Sequence, residues 1–186
     1  INFTGEQHSI AQFGELKERT IIVNGVSKSF AMTGWRIGFM VGPEWIIDGC
    51  TKIQGQLTSG ANAIAQKAAK TAITTDLTPT YEMRDAFQKR RDLVIDKLSD
   101  VSDIRFNRPE GAFYLFPDIS GMYGKTINGQ TFSGSEEFCM HILDKAKVSL
   151  VPGIAFGNDN CIRISFAASE NDLSAAIDRI KQVLNG

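Results

Sequence analysis

The residues best suited to chemistry in this chain stand together in Gly25-Val26-Ser27-Lys28-Ser29-Phe30-Ala31-Met32-Thr33-Gly34-Trp35-Arg36-Ile37-Gly38. Lysine is the side chain whose amine can condense with an aldehyde. Arginine, eight positions after Lys28, keeps its charge and presents a planar fork suited to phosphate oxygens. Glycines let the backbone approach a ligand closely. An amine and a guanidinium at opposite ends of a small pocket suit an aldehyde that carries a phosphate tail. Spacing alone leaves a plainer alternative open, because one Lys and one Arg near a loop are usually solvated surface charges. The second candidate is Arg163, in Cys161-Ile162-Arg163-Ile164-Ser165-Phe166-Ala167. A charge in an apolar, strand-like run needs a partner. A ligand carboxylate, gripped bidentately, or a carboxylate of the protein itself would each serve.

These residues need elements to hold them. Thr20–Asn24 is a short β-branched run ending at Gly25 and is expected to be a buried strand. Arg36–Val41 is a second strand, closed by Gly42-Pro43. Pro43 fits the first turn of a helix from Glu44 to about Leu57, and Ala61–Thr75 is helical by composition. Leu77-Thr78-Pro79 interrupts, and Thr80 to about Leu98 forms a long charged helix. Short strands are expected at Ile104–Asn107 and Ala112–Phe116, around the turn Arg108–Gly111. Ser135–Lys147 is an amphipathic helix with Glu136 and Glu137 at its positive end. Ser149–Val151 and Cys161–Phe166 are strands flanking a glycine-rich loop. Ser169, with Asp172 three positions on, caps the last helix. The order implies the end of a larger α/β domain to about residue 90, then a small α+β domain over 91–186, with the long helix as the bridge.

Composition narrows the function classes. The chain is 42% hydrophobic and 22% charged, which argues against disorder or a fibre. The net charge of −1 gives no general electrostatic reason to expect nucleic acid or an anionic membrane as partner, and no apolar run approaches a membrane span. Cys50, Cys139 and Cys161 are widely spaced, with no Cys/His cluster, so no metal site is expected, a reduced cytoplasmic setting is the default, and each cysteine reads as a small buried hydrophobe. The isolated His8 and His141 are treated likewise. Without an initiator Met, the chain reads as a piece of something longer.

Residues 25–38 resemble, position for position, the lysine signature of class I pyridoxal-phosphate aminotransferases, in the form seen in the bacterial aspartate aminotransferase subgroup. Arg108-Pro-Glu-Gly-Ala-Phe-Tyr114, Val151-Pro-Gly-Ile-Ala-Phe-Gly157 and the strand around Arg163 resemble further segments of that family. The resemblance implies an α/β fold: the C-terminal part of the large PLP-transferase domain followed by a small α+β domain. It implies that Lys28 condenses with pyridoxal 5′-phosphate and moves the proton between the substrate α-carbon and the cofactor C4′. Arg36 would hold the cofactor phosphate and Arg163 the substrate carboxylate. Gly25 stands where many relatives have a phosphate-contacting serine. That contact is not carried over, and Ser27 is a phosphate-side candidate or simply a turn-forming hydroxyl. Gln56–Asn62 resembles a dimer-interface segment, so a homodimer is implied for the full-length protein. Phe113 and Phe156 could line the substrate pocket, though each is expected first in the core. Arg105 and Arg179 read as surface charges.

The implied reaction of the parent protein passes an amino group from an amino acid, with aspartate favoured, to a 2-oxo acid. A C–S lyase or synthase on the same scaffold, or a ligand-sensing domain of a transcription regulator, are the alternatives. The family's pyridinium-pairing Asp, in an Asp-Glu-x-Tyr-like segment, is not among these residues. The chain alone is therefore expected to be inactive.

Overall fold

The computed structural model describes residues 1–4 and 7–185. The chain divides into two compact units, Glu6–Met83 and Ile1–Gly5 with Arg84–Gly186. The division falls inside a helix, Thr78–Leu98, which also contains the domain limit expected near residue 90.

In the first unit, two short 3-10 turns, Ile10–Gln12 and Gly14–Arg19, precede an antiparallel ribbon. Its strands are β1 (Ile22–Gly25) and β2 (Gly38–Val41), in register from Ile22↔Val41 to Gly25↔Gly38. Helix α1 (Glu44–Leu57) starts directly after Pro43, as the sequence implies. Helix α2 (Ala63–Thr74) is capped by Asn62, whose side chain accepts from the Ala65 amide at 3.0 Å. The expectation of a buried strand over 20–24 is corrected: Ile22 and Val23 are exposed, Val23 by 76%. A β-branched run of this kind is usual where a strand is covered on both faces. Among the described residues β1 pairs with β2 alone, and the buried packing lies at the inner end of the ribbon. There Val26 and Ile37 meet Ala65 and Ala69 of α2, with Phe30 and Met32 against them.

The second unit has the larger core. Helix α3 (Thr78–Leu98) begins two residues earlier than expected, with Pro79 in its first turn, where a missing N–H costs no intrahelical bond. It buries Arg91, Val94 and Leu98. A three-stranded antiparallel sheet, ordered β3–β7–β6, combines Tyr114–Leu115, Ile162–Ser165 and Val151–Pro152. Leu115, Ile162 and Ile164 face the core, together with side chains of α4 (Ser135–Ala146) and α5 (Glu170–Leu184). Between β3 and α4 a small hairpin, β4 (Thr126–Ile127) and β5 (Gln130–Thr131), turns through Asn128 and Gly129. Both have positive φ, as a two-residue hairpin turn requires. Ser169 caps α5 by accepting from the Asp172 amide at 3.1 Å. The expected strand over 104–107 is reduced to one bridge, Arg105 with Asp118, because the neighbouring residues have no ladder partner. The expected strand over 149–151 shifts to Val151–Pro152. The N-terminal residues add an edge: Phe3 N–H donates to Glu110 C=O at 2.8 Å, and Ala112 N–H to Ile1 C=O at 3.1 Å. Beneath Phe3 lies the buried Arg91 guanidinium, 4.6 Å from the ring centroid.

Candidate active site

In the first unit Ser27, Lys28 and Arg36 all lie on the β1–β2 connection. Gly25 and Gly38 pair at its neck, where a Cβ on Gly25 would stand 3.1 Å from the Ile37 carbonyl oxygen and one on Gly38 3.2 Å from that of Asn24. So close a neck favours glycine on both sides. Immediately beyond it the buried Val26 and Ile37 anchor the loop's two ends against α2. Ser27 and Lys28 follow Val26 in a turn closed by Phe30 N–H to Val26 C=O (3.2 Å) and Ala31 N–H to Lys28 C=O (3.3 Å). Lys28 is exposed and Ser27 half-buried. Arg36 precedes Ile37, is exposed, and occupies the left-handed region (φ 50°), with its guanidinium donating to Thr33 C=O at 3.0 Å. A non-glycine residue rarely adopts this backbone, and such positions gather at ligand sites. Packing therefore fixes where the amine-bearing and guanidinium-bearing residues leave the ribbon.

Arg163 lies in the second unit, at the centre of the sheet. Period two sends Ile162 and Ile164 into the core and Arg163 to the opposite face, where it is half-buried. Its guanidinium carbon stands 4.7 Å from the Phe156 ring centroid and 5.3 Å from that of Tyr114. Phe116 packs edge-on to Phe156, centroids 5.9 Å apart. Among the described residues Arg163 forms no ion pair, so the alternative of a structural pairing with a protein carboxylate has no support. Tyr114 flanks this candidate residue and Phe116 packs on Phe156, and the sequence singles out neither as a site residue. The out-in-out alternation Tyr114-Leu115-Phe116 was the signal that could have found them. Phe113 packs against the core as expected, whereas Phe156 is half exposed and flanks Arg163. Arg105 is a surface residue, 3.7 Å from Asp118, and Arg179 donates to the Ala175 carbonyl of its own helix. The three cysteines are free; Cys139 and Cys161 are buried, and Cys50 is half-buried.

Asn62 of the 56–62 segment is occupied as the α2 cap, and Ser59 sits at positive φ. Among the described residues no three His, Cys, Asp or Glu side chains gather as metal ligands, and no helix is long and apolar enough to cross a membrane.

The mixed helix and strand architecture is that of aminotransferases with the pyridoxal-phosphate-transferase fold, which it matches over essentially the full chain. The structure matches that of the aspartate aminotransferase from Rhizobium meliloti with a TM-score of 0.94 and 39% identity, over 100% of this chain and 47% of that one. It matches a double mutant of the Thermus thermophilus aspartate aminotransferase with a TM-score of 0.87 and 34% identity, over 98% and 45%. The chain belongs to the aminotransferase class I and II family, whose model matches residues 2–180. It is 47% identical over 182 residues to a bifunctional aspartate aminotransferase and glutamate/aspartate-prephenate aminotransferase of Petunia hybrida, covering 95% of this chain and 38% of that protein. The chain thus spans less than half the length of these relatives.

The donor set fits the family's cofactor. The loop offers a primary amine for the aldehyde, and for the phosphate a guanidinium and a hydroxyl on residues adjacent to its two anchors. Among the described residues Arg36 forms no ion pair, and its guanidinium donates only to the Thr33 carbonyl.

Proposed function

We propose that this chain is the C-terminal part of a pyridoxal-phosphate-dependent transaminase that transfers the amino group of an amino acid, aspartate by preference, to a 2-oxo acid. The observation that carries this reading is the loop between Val26 and Ile37, anchored at both ends, from which Ser27, Lys28 and Arg36 are presented. When bound, the cofactor supplies an electron sink for the negative charge that develops at the substrate α-carbon.

Each residue of the chain then has a task. Lys28 Nζ would hold the cofactor through its aldehyde and, when freed, would be the base that takes up and hands back the proton of the substrate α-carbon. Arg36 would hold the phosphate by charge-assisted hydrogen bonds, with Ser27 as a further donor. Arg163 grips the α-carboxylate and orients the α-carbon, and the rings of Tyr114 and Phe156 keep water off the faces of its guanidinium. The names of relatives such as the Petunia hybrida, Streptomyces avermitilis and Rhizobium meliloti aspartate aminotransferases favour transamination over the lyase, synthase and ligand-sensing alternatives. The whole protein acts as a cytoplasmic homodimer, with residues 56–62 at the subunit contact. Borohydride reduction of the full-length holoenzyme, followed by peptide mapping, tests the assignment. The label is expected on Lys28, and label on another lysine with none at position 28 would refute the reading.

A further inference from the structure

The loop from Gly153 to Cys161 carries Phe156 over the Arg163 guanidinium and then leads into β7, on which Arg163 sits. Its own backbone hydrogen bonds close its neck, Gly153 N–H to Cys161 C=O (2.8 Å), Asn158 N–H to Gly153 C=O (3.1 Å) and Cys161 N–H to Asn158 C=O (3.2 Å), and one more, Gly157 N–H to Ile154 C=O (3.0 Å), turns the arm back on itself. The arm beyond is poorly packed, with Ile154 and Phe156 exposed by 53% and 51%. The loop is tied to the rest of the unit near its end by Asn160, whose C=O accepts from Ile119 N–H at 2.8 Å, and further out by Asp159. Its Oδ1 accepts from the Ser135 backbone N–H at 2.9 Å and from the Ser135 hydroxyl at 2.6 Å, across the start of α4. Ser135 is fully buried, and its hydroxyl oxygen accepts in turn from Ile154 N–H at 3.3 Å. On the other side the Tyr123 hydroxyl donates to the Asp159 carbonyl. Gly134 leaves room for this carboxylate, since a Cβ there would lie 2.7 Å from Asp159 Oδ2. The hydrogen bonds from Ser135, side chain first and then backbone, hold the Asp159 carboxyl below its usual range, so it remains an ionised acceptor at neutral pH.

We propose that Asp159 is a positioning residue for substrate binding: by fastening the 153–161 loop to the first turn of α4 through Ser135, it keeps Phe156 stacked on Arg163 and so presents the guanidinium fork to the substrate carboxylate. This rests on the reading of Arg163 as the carboxylate-binding residue. A purely structural cap would alter the stability of α4 and leave carboxylate affinity unchanged.

The test uses the full-length holoenzyme and succinate, a dicarboxylate without an amino group, as a non-reacting probe. Asp159→Ala raises the succinate dissociation constant measured by calorimetry, and the KM for the amino acid, about tenfold, the effect of a lost capping interaction, with kcat within about twofold. Asp159→Asn, which keeps the oxygen acceptor, restores near wild-type affinity. Ser135→Ala, which cuts the link to Ile154 but keeps the Ser135 N–H, weakens binding about threefold. It decides the matter alone if Asp159→Ala does not fold. Arg163→Gln is the control. Wild-type succinate affinity in the Asp159→Ala and Ser135→Ala variants, with Arg163→Gln weakened, overturns the proposal and leaves Arg163's assignment standing. Undiminished affinity in Arg163→Gln overturns that assignment and the proposal with it.

Discussion

Replacing Arg163 by Gln in the full-length protein separates a substrate-binding role from a structural one, because the two have opposite signatures in stability and kinetics. On β7 the side chain is half-buried, touches the rings of Phe156 and Tyr114, and forms no ion pair among the described residues. Its removal therefore strands no buried partner charge. The loss of two cation–π contacts, each about 0.5–1 kcal/mol at such a site, sets a stability cost of about 1–2 kcal/mol. Breaking a buried ion pair would cost about 3–5 kcal/mol. The kinetic effect should be larger. Two charge-assisted hydrogen bonds to a carboxylate together contribute about 3 kcal/mol, or about a hundredfold in KM for the amino acid. Because the carboxylate is held in both ground and transition states, kcat should fall much less. Arg163→Lys keeps the charge and loses the fork, so KM should rise only about tenfold. Steady-state kinetics with aspartate and 2-oxoglutarate, alongside urea unfolding, give both numbers. An unchanged KM with a stability loss above about 3 kcal/mol would refute the reasoning and restore Arg163 to a structural role.

Other parts of the chain give sharper single readouts. Residues 1–186 expressed alone should show negligible transamination of aspartate with 2-oxoglutarate, and turnover comparable to a full-length relative would contradict the need for the missing cofactor contacts. Gly153→Ala should destabilise the second unit by more than about 2 kcal/mol in chemical unfolding, since a Cβ there would lie 2.1 Å from the Cys161 carbonyl oxygen and the loop neck must open. His141, 4% exposed, pairs through Nδ1 with Gln130 at 3.0 Å, and its Nε2 has no hydrogen-bond partner among the described residues. Burial, then Lys145, depress its pKa below 6.5, against a smaller opposing effect of Asp144. The unfolded state therefore binds the proton more readily, and His141's contribution, complete above about pH 6.5, declines as the pH falls through and below that value. His141→Leu should flatten this slope in unfolding measured from pH 7.5 to 5, and an unaltered slope would show that other groups carry it.

What the sequence made legible is what local physics decides. Pro43 places the start of α1 and Ser169 that of α5, because a missing N–H and a capping hydroxyl act within one helical turn. Lys28, Arg36 and Arg163 stand out as candidates because few residue types can do the chemistry proposed for them, and the first two fall on one loop. What depends on distant partners was hidden. The exposure of Ile22 and Val23 could not be read from a run that looks two-sided in isolation. The 104–107 segment has strand-like composition, yet only Arg105 finds a bridge. Pro79 looked like a break because the sequence does not say on which side of it a helix nucleates. Asp159 gave no signal, since its value comes from Ser135, 24 positions earlier, which only the return of the loop brings into reach.

The two candidate centres also rest on unequal supports. Arg163 stands on a three-stranded sheet whose other face is covered by a continuous core of buried side chains from the sheet and its helices. Lys28 stands on a two-stranded ribbon held by Val26, Ile37 and two alanines of α2, while Val23, Trp45, Leu57 and Ile64 are each more than 70% exposed. An isolated two-stranded ribbon is marginal in water, and exposed large apolar side chains in this number call for cover. The anchored geometry of the Lys28 loop therefore depends on packing that these residues do not supply, whereas the second unit carries its own. Inactivity of the isolated chain would consequently say little about Lys28, because a loosened loop and a missing cofactor contact both predict it. Only chemical labelling of the intact holoenzyme isolates the role of that amine.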